Sequence, residues 1–451
     1  MLRQASRLSH CSAVPSAGQE VPAQEPGSRR EPAHVLARRL TASLQSEPKS
    51  SLHAHTFLAP EAREENNSTS HLLPRNDRPG NLRRMHLSVR LSCCFAIILC
   101  GCFSLPSSSA FDERSPEELR GSITPERAWW DLLHYRLQVR VDLDSKSLDG
   151  TNEVRFVTLE PGRRMQIDLQ TPLEITRVVS NNLDLEFKRQ GNVYWIDFPE
   201  QLPAGTERTI AISFGGVPIE SPNPPWSGGL SWLKDDHGKP FVATTCQGIG
   251  ASIWWPNKDH GYDEPDAGMD ILITVPADLV AVANGRLIET IGPSDDGTRT
   301  FHWQVTVPIN NYCVNMNIGD YVRFSDTYQG EAGELTMDYW VLSYQLERAR
   351  EHFQEAPRVI AAFEHWFGPY PFYEDSYKLV EVPYPGMEHQ SSVTYGNGYN
   401  NGYRGRDLSG TGVGFLFDFI IVHESGHEWF GNNIATQDVA DMWIHEGFTN
   451  Y

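Results

Sequence analysis

Two histidines four residues apart near the end of the chain place the tightest constraint on its fold. His423 is followed directly by Glu424, and His427 completes the set in the stretch VHESGHEWFG. The two imidazoles can reach one ion only on a helix, because a step of four residues returns to the same helical face. The apolar residues of this region fit a helical period: Phe415, Phe419, Val422 and Trp429. The pattern predicts a buried amphipathic helix that carries a metal site.

The next predicted helix offers a third ligand. Eighteen residues separate His427 from Glu446, which lies in DMWIHEGFTNY. Catalytic zinc is held by three protein ligands, so the two histidines need this carboxylate. Glu424 is rotated beside the histidines, so it can hold a water molecule without binding the metal. Gly426 costs the helix up to about 1 kcal/mol relative to alanine, so stability alone does not favour it. Two ordinary core histidines are the alternative interpretation.

From about residue 130 the chain is rich in predicted strands. In HYRLQVRVDLD (134–144) apolar and polar residues alternate, which predicts a strand with one buried and one wet face. Asp149-Gly150 predicts a turn, with NEVRFVTL as the partner strand. Further strands are predicted in MQIDLQ, VYWIDF, TIAISF, DILITVP and TFHWQVTV. Short strands at this density predict a large antiparallel sandwich or saddle that extends to about residue 325.

The pattern changes near residue 340. Residues 345–368 have helical spacing and end at Gly368, and YKLVEVPYPGMEHQ then predicts a strand that runs into a loop. The stretch 396–414 is glycine-rich but lacks the lysine of a phosphate-binding loop, so we expect a plain connector.

Four stretches together resemble the aminopeptidase N (membrane alanyl aminopeptidase-like) family of gluzincin metallopeptidases. They are GMEHQ, VHESGHEWFGN, DMWIHEGFTNY and TTCQGIGASIWWPNKDHGYDEPD (244–266). The resemblance spans about residues 130–451. It implies a β-rich N-terminal saddle or sandwich domain (111–325), followed by the start of an α+β thermolysin-like zinc metallopeptidase domain (326–451).

The resemblance also implies roles for individual residues. His423, His427 and Glu446 would bind one zinc ion, and Glu424 would be the general base. The substrate-binding residues would be Glu388, Gln247, Gly386 and Met387, with Glu388 holding the free α-amino group. The implied function is zinc-dependent removal of N-terminal residues from peptides. A zinc endopeptidase and a catalytically impaired, peptide-binding or scaffold homologue remain alternatives.

The chain departs from the family pattern at several points. His389 and His445 stand where the family usually has asparagine, and Asp438-Val439-Ala440 replaces a common Trp-Trp-Asn. These changes concern substrate preference more than metal binding. The family's catalytic domain continues beyond Tyr451, which matches a structural tyrosine rather than the oxyanion-stabilising one. We therefore expect a truncated product with little turnover.

The N-terminal region differs from the rest in charge. The whole chain has a formal net charge of -20, which argues against a nucleic-acid partner. Residues 1–84 predict a disordered or non-translated extension, and 85–110 predict a signal peptide with translation starting at Met85. Export to the periplasm, cell envelope or extracellular space follows. A membrane anchor, through an uncleaved signal or a lipid on Cys102, remains an alternative.

Cysteine usage agrees with export but adds little to it. Of the seven cysteines, only Cys246 and Cys313 lie in the predicted folded part. Nothing in their spacing brings them together, so we expect two buried free thiols, with a disulfide as the alternative.

Overall fold

The computed structural model describes residues 113–450. The predictions made for residues 1–110, including the signal peptide and Cys102, lie outside the described residues, and so does Tyr451. Two short helices open this part: α1 (Pro116–Gly121) and α2 (Pro125–Ala128). Ser115 caps α1 through a reciprocal pair of bonds with Glu118, which fixes where that helix begins.

Fifteen strands form the β-rich part. Numbered along the chain, they are β1 (Trp130–Asp142), β2 (Ser147–Thr158), β3 (Gly162–Asp168), β4 (Glu174–Ser180), β5 (Leu183–Asp184), β6 (Glu186–Gln190), β7 (Val193–Leu202), β8 (Glu207–Gly216), β9 (Gly229–Lys234), β10 (Pro240–Thr245), β11 (Met269–Pro276), β12 (Val280–Val282), β13 (Arg286–Ile291), β14 (Thr298–Val305) and β15 (Asn317–Gly319).

These strands build three sheets. The largest has eight strands in the order β13-β14-β11-β1-β2-β8-β4-β5, and it is antiparallel except where β1 and β11 run parallel. The others are β12-β15-β10-β9 and β3-β7-β6. The alternation predicted for β1 is present: Tyr135, Leu137 and Val139 are buried in one large core cluster that also takes residues from the other two sheets. The prediction of a β-rich saddle or sandwich is confirmed.

The turn predicted at Asp149-Gly150 is wrong. Strand β2 already begins at Ser147, and Asp149 pairs with Arg140 inside the ladder. The turn lies at residues 143–146, where Lys146 has a φ of 53°. Gly150 is needed in the strand itself, because a Cβ there would lie 2.4 Å from the Gln138 carbonyl oxygen. The glycine therefore marks a close backbone approach and not a reversal.

A five-stranded sheet and four helices form the second part. Its strands are β16 (Tyr321–Gly330), β17 (Gly333–Leu342), β18 (Tyr377–Glu381), β19 (Gly386–Met387) and β20 (Val393–Tyr395), in the order β16-β17-β18-β20-β19. Its helices are α3 (Leu346–His352), α4 (Ala356–Phe367), α5 (Phe419–Gly426) and α6 (Trp443–Asn450). Strand β16 crosses residue 325, where the domain boundary is predicted. That boundary stays a prediction.

The single helix predicted over 345–368 is two helices. A 3-10 turn at Phe353–Glu355 separates α3 from α4. Pro357 stands in the first turn of α4, where its missing N–H costs nothing, whereas inside one continuous helix it would remove a hydrogen bond. The end of α4 is as predicted, since Gly368 caps it with a φ of 86°.

Helix α5, which carries the two histidines, starts later than its apolar pattern suggests. The Asp418 side chain accepts hydrogen bonds from the N–H groups of Ile420 and Ile421, so α5 begins at Phe419. Phe415, predicted on the buried face, lies in a 3-10 turn (Val413–Leu416) and is 52% exposed. The capping aspartate sets the boundary, and the helical period upstream of it is accidental.

Two further predictions concern the same part of the chain. The glycine-rich stretch is irregular up to that 3-10 turn, as expected of a connector. Cys246 and Cys313 are buried free thiols, as predicted. Of the helices that the structure describes, none is both long and apolar enough to span a bilayer.

Candidate active site

Helix α5 brings the two histidine rings together. His423 Nε2 and His427 Nε2 lie 3.3 Å apart, and His427 is fully buried while His423 is half-buried. His427 Nδ1 lies 3.0 Å from the Phe430 carbonyl oxygen, to which it donates as the N–H tautomer. This bond leaves the Nε2 lone pair free for a metal, as in most histidine ligands. Burial lowers the pKa of His427, which keeps the ring neutral.

Helix α6 supplies the carboxylate. Glu446 Oε2 lies 3.4 Å from His423 Nε2, and Glu446 Oε1 lies 3.8 Å from His427 Nε2. The hydrogen bond with His423 is the main cause that lowers the pKa of Glu446, which keeps it ionised. In a tetrahedral zinc site with bonds of about 2.1 Å, neighbouring donor atoms are about 3.4 Å apart. The three donor groups therefore fit one zinc ion.

Two glycines allow this arrangement. A Cβ on Gly426 would come within 2.9 Å of Phe363 Cζ and 3.1 Å of Thr449 Cγ2, so α4 and α6 both pack against that position. Gly431 has a φ of 131°, and a Cβ there would press on the rings of His427 and His445 at 3.4 Å. Gly426, which helix stability alone does not favour, is thus explained by close packing.

Glu424 is buried next to the three donor groups. Its pKa is raised well above the ordinary value, first by burial and then by the charge of Glu446. Gly386 in β19 makes room for this carboxylate, because a Cβ at Gly386 would lie 2.6 Å from Glu424 Oε1. Such a carboxylate takes up a proton readily, which is what a general base in this position needs.

A second buried carboxylate lies beside the first. Gln247 Nε2 donates to Glu388 Oε1 at 2.6 Å, and Met387 next to it is buried. Oxygen atoms of Glu388 and Glu424 and a ring nitrogen of His427 lie within 4.8 Å of one another. Burial and the charge of Glu424 raise the pKa of Glu388. Within residues 113–450, Glu388 forms no ion pair with a lysine or arginine. The structure thus brings together every sequence-predicted site residue.

Sequence reasoning missed the residues that join α5 to the loop after β19. Asn432 Nδ2 donates to the Glu388 carbonyl oxygen at 3.0 Å, and the Asn432 N–H donates to the His427 carbonyl oxygen at 3.0 Å. Cys313 Sγ donates to Asn432 Oδ1 at 3.0 Å. Asn432 lies six residues beyond the end of α5 and directly follows Gly431, which has a φ of 131°, so a Gly-Asn pair in an irregular segment is the signal that could have pointed to this bridge.

Glu428 forms a second connection to the same loop. Its Oε1 accepts the Ser391 N–H at 2.8 Å, at a position where Ser391 has a φ of 53°. Burial raises the pKa of Glu428 to about 8. Together these contacts hold the loop that carries Glu388 in a fixed position against the end of the helix that carries the histidines.

The positions that depart from the family pattern lie close to the site. His389 is fully buried, with Nδ1 3.2 Å from Thr394 Oγ1, and burial lowers its pKa to about 3. His445 is buried and lies almost parallel to the ring of Tyr312. Asp438 caps the 3-10 turn Val439–Asp441, accepting the Ala440 N–H at 2.9 Å.

Two family models match this chain. The Peptidase M1 N-terminal domain matches residues 132–313, and the Peptidase family M1 domain matches residues 352–451. The first match falls on the β-rich part, and the second falls on the part that contains the five-stranded sheet and its helices.

Similar proteins come from several organisms. Human aminopeptidase B is 25% identical over 380 residues, which cover 77% of this chain and 52% of that protein. Leukotriene A-4 hydrolase of Xenopus laevis is 23% identical over 349 residues, covering 73% and 51%. Human endoplasmic reticulum aminopeptidase 1 is 22% identical, covering 77% and 38%. The chain spans about half the length of the first of these relatives or less.

Solved structures show the same fold. An M1 zinc metallopeptidase mutant of Deinococcus radiodurans, with a Tyr-Ser-Ala substrate bound, superposes with a TM-score of 0.61 at 21% identity. The match covers 74% of this chain and 72% of that one. A two-domain M1 zinc metallopeptidase mutant with bound L-tryptophan gives the same TM-score and coverage.

Proposed function

This chain belongs to the peptidase M1 family of zinc metallopeptidases, and on that premise we propose that it removes N-terminal residues from peptides. One observation carries the proposal. Donor atoms of His423, His427 and Glu446 lie 3.3–3.8 Å apart, with the buried carboxylates of Glu424 and Glu388 beside them. An exopeptidase needs a metal centre and, next to it, a buried carboxylate without a cationic partner. Among the described residues Glu388 is such a carboxylate.

The hydrolytic step uses Glu424. Zinc bound by His423, His427 and Glu446 would lower the pKa of a water molecule and polarise the carbonyl of the first peptide bond. Glu424 takes the proton from the attacking water and delivers it to the leaving amine. The packing of Gly386 against Glu424 holds its carboxylate in position for both transfers.

Recognition of the N-terminus uses Glu388 and Gln247. A buried carboxylate without a cationic partner is costly, and the ammonium group of a free N-terminus would supply that partner. Gln247 holds the Glu388 oxygen in place through its 2.6 Å bond. This pairing sets the first peptide bond over the metal donors and makes the activity an exopeptidase one.

Gly386 and Met387 would hold the peptide backbone. They form β19, which is the last strand of its sheet, and within residues 113–450 no strand pairs with its other side. An extended peptide can add to such an edge through main-chain hydrogen bonds. This geometry supports a substrate-binding role for both residues.

We also propose that the protein is exported. The segment 85–110 has a basic start, a short apolar stretch and small residues before Phe111. Peptides of the periplasm, cell envelope or extracellular space would then be its substrates, with membrane attachment through Cys102 or an uncleaved signal as a further proposal. The part of this sequence that remains after cleavage would hold the proposed domains 111–325 and 326–451. N-terminal sequencing of exported material should start near Cys102 or Phe111, and a mature protein that begins at Met1 would refute the signal.

Peptide hydrolysis with matched substrates tests the proposed activity. Because we expect little turnover from the chain that stops at Tyr451, the assay uses a zinc-loaded form extended to the full catalytic domain. That form should cleave the first bond of a short peptide with a free N-terminus and leave its N-acetylated form intact. Glu424→Gln should retain zinc and lose turnover, whereas Glu388→Gln should retain zinc and lose discrimination against the acetylated peptide.

Other outcomes point to the alternative functions. Cleavage of both peptides at internal bonds would identify an endopeptidase. Zinc-dependent binding of the free peptide without turnover would identify a peptide-binding homologue. Binding of neither zinc nor peptide would overturn the proposal.

A further inference from the structure

A cavity of about 320 Å³ lies beside Gln247, the residue that hydrogen-bonds the proposed amine-binding carboxylate of Glu388. Cys246 and Gly248, on either side of Gln247, form part of its wall, and His445, which precedes Glu446, forms another part. Its volume lies near the lower end of the range for small-molecule sites, which begins at roughly 300 Å³. The cavity is therefore placed to receive the side chain of the residue whose amino group pairs with Glu388.

Two polar groups that line this cavity are buried without partners. Neither ring nitrogen of His445 forms a hydrogen bond within the described part of the chain, although the residue is 2% exposed. The Tyr312 hydroxyl is likewise buried and unbonded. The two rings lie nearly parallel, with centroids 6.4 Å apart and 17° between their planes. Buried polar groups are nearly always hydrogen-bonded, so this pair points to a ligand that completes it.

Most of the other polar groups of the wall have partners or face solvent. Asp259 accepts hydrogen bonds from the Ser252 hydroxyl and the Ala251 N–H. Arg120 Nη2 donates to the Gly248 carbonyl oxygen. His260 Nε2 lies 3.2 Å from the Gly121 carbonyl oxygen, and Glu117 is exposed.

The two unpartnered groups offer a ligand neutral hydrogen bonding, since an imidazole ring offers one donor and one acceptor and a phenol hydroxyl offers both. The remaining wall has space for a ring. Three glycines without side chains, Gly248, Gly250 and Gly261, line the cavity. A bulky side chain can fit against them and still reach His445 and Tyr312 with a polar group at its end.

We propose that His445, together with Tyr312, selects substrates whose N-terminal residue is bulky and ends in a neutral hydrogen-bonding group, as tyrosine does. This specificity rests on the proposed exopeptidase function, because the cavity is placed relative to Glu388. The asparagine usual in the family at position 445 is shorter and would reach less far into the space beside Tyr312.

The direct test measures binding of two amino-acid amides that differ by one hydroxyl. L-tyrosine amide and L-phenylalanine amide are titrated into the zinc-loaded chain by isothermal calorimetry. Tyrosine amide should bind about tenfold more tightly, because phenylalanine amide leaves both buried groups unpaired. Since the readout is binding, it does not depend on turnover.

Two variants assign the preference to these residues. His445→Phe and Tyr312→Phe each keep a ring of similar size and remove hydrogen-bonding atoms, so each should lower the tyrosine-to-phenylalanine ratio towards one. A merely structural role would weaken both amides equally and leave the ratio unchanged. An unchanged ratio in both variants would overturn the role of His445 and Tyr312.

A third ligand separates this inference from the proposed function. N-acetyl-L-tyrosine amide lacks the ammonium group that Glu388 should bind, so it should bind far more weakly than tyrosine amide. If acetylation abolishes binding but the two free amides bind equally, the specificity inference is overturned and the proposed function stands. If the acetylated amide binds as tightly as the free one, or if no amide binds, the proposed role of Glu388 fails and the inference fails with it.

Discussion

The two helices that carry the proposed metal donors, α5 and α6, are stabilised in different ways. Helix α5 is capped by the fully buried Asp418 and packs Ile420 and Ile421 into the core. Helix α6 exposes most of its surface, with Trp443 67% and Phe448 52% accessible. The difference extends to the donors themselves, since the His427 side chain is fully buried and that of Glu446 is 49% exposed.

This contrast indicates how the site is assembled. The core holds the two histidines at a zinc-compatible distance, and the loop with Glu388 is tied to the same helix through Asn432 and Glu428. Glu446 depends on a smaller set of contacts, among them the packing of Phe448 on Phe430 at 5.3 Å. We infer that α5 and the loop with Glu388 form a rigid half of the site, which fixes the positions of the histidines and of Glu388. Helix α6 forms a more loosely held half, and a bound zinc ion would connect the two halves.

Loss of a buried histidine should have the largest effect. His427→Ala leaves two protein ligands, and zinc affinity should fall on the order of a thousandfold, or about 4 kcal/mol. Equilibrium dialysis with zinc measures it. Glu446→Ala also removes a ligand but alters only an exposed side chain, so it tests the metal site without risk to the fold. Exposed His365→Ala is the control, and full zinc affinity in His427→Ala would contradict the assignment.

The two capping aspartates should differ strongly. Asp418 also accepts hydrogen bonds from Asn397 Nδ2 and the Tyr395 hydroxyl at 2.8 Å, so Asp418→Ala removes a cap and orphans buried donors. We expect a loss of about 3 kcal/mol in the free energy of unfolding, measured by urea denaturation. Exposed Asp438→Ala, at the cap before α6, should cost less than about 1 kcal/mol. Equal losses would mean that the two halves are equally constrained.

Acid should weaken the rigid half through His389. Its pKa is lowered from 6.5 to about 3, so it binds a proton in the unfolded chain before it does so in the folded one. The contribution of His389 to the free energy of unfolding is therefore complete above pH 6.5 and is lost as the pH falls towards 3. The free energy of unfolding should therefore be about 2 kcal/mol lower at pH 5 than at pH 7 because of this residue.

A matched comparison isolates this histidine. His389→Asn should remove about that part of the decline in unfolding free energy between pH 7 and pH 5, whereas exposed His365→Asn should not change it. The measurement is urea denaturation at both pH values. An identical pH dependence in the parent and in His389→Asn would refute the assignment.

The smallest expected effect distinguishes two helical glycines. Gly426→Ala gains helix propensity but forces a Cβ against Phe363 and Thr449, for a net loss of about 1 kcal/mol. Gly447→Ala in α6 meets only ordinary contacts with Trp443, at 3.5 Å or more, and should stabilise by up to about 1 kcal/mol. Thermal unfolding of both variants measures the difference. A higher stability of Gly426→Ala would show that the packing around this position of α5 can accommodate a Cβ.

Much of the site could be predicted because its spacing is local. A histidine pair at a four-residue step depends on one helix, and Glu446 follows from the family motif. The predictions of a turn at Asp149-Gly150 and of a helical position for Phe415 were wrong, because both features depend on residues outside the local pattern. Gly150 responds to Gln138 across the ladder, and Phe415 lies upstream of the cap at Asp418. Both corrections involve contacts that no local pattern contains.

The sequence by itself determined the β-rich and mixed parts, the proposed metal donors and the buried thiols, because periodicity and motif spacing reflect local backbone geometry. Only the tertiary structure decided that Gln247 hydrogen-bonds Glu388, that Asn432 joins the loop of Glu388 to the end of α5, and that His445 faces a cavity beside Tyr312. The physical reason is distance along the chain. The first of these pairs is 141 residues apart, and only the packing of the β-rich part against the second sheet brings such residues within hydrogen-bond range.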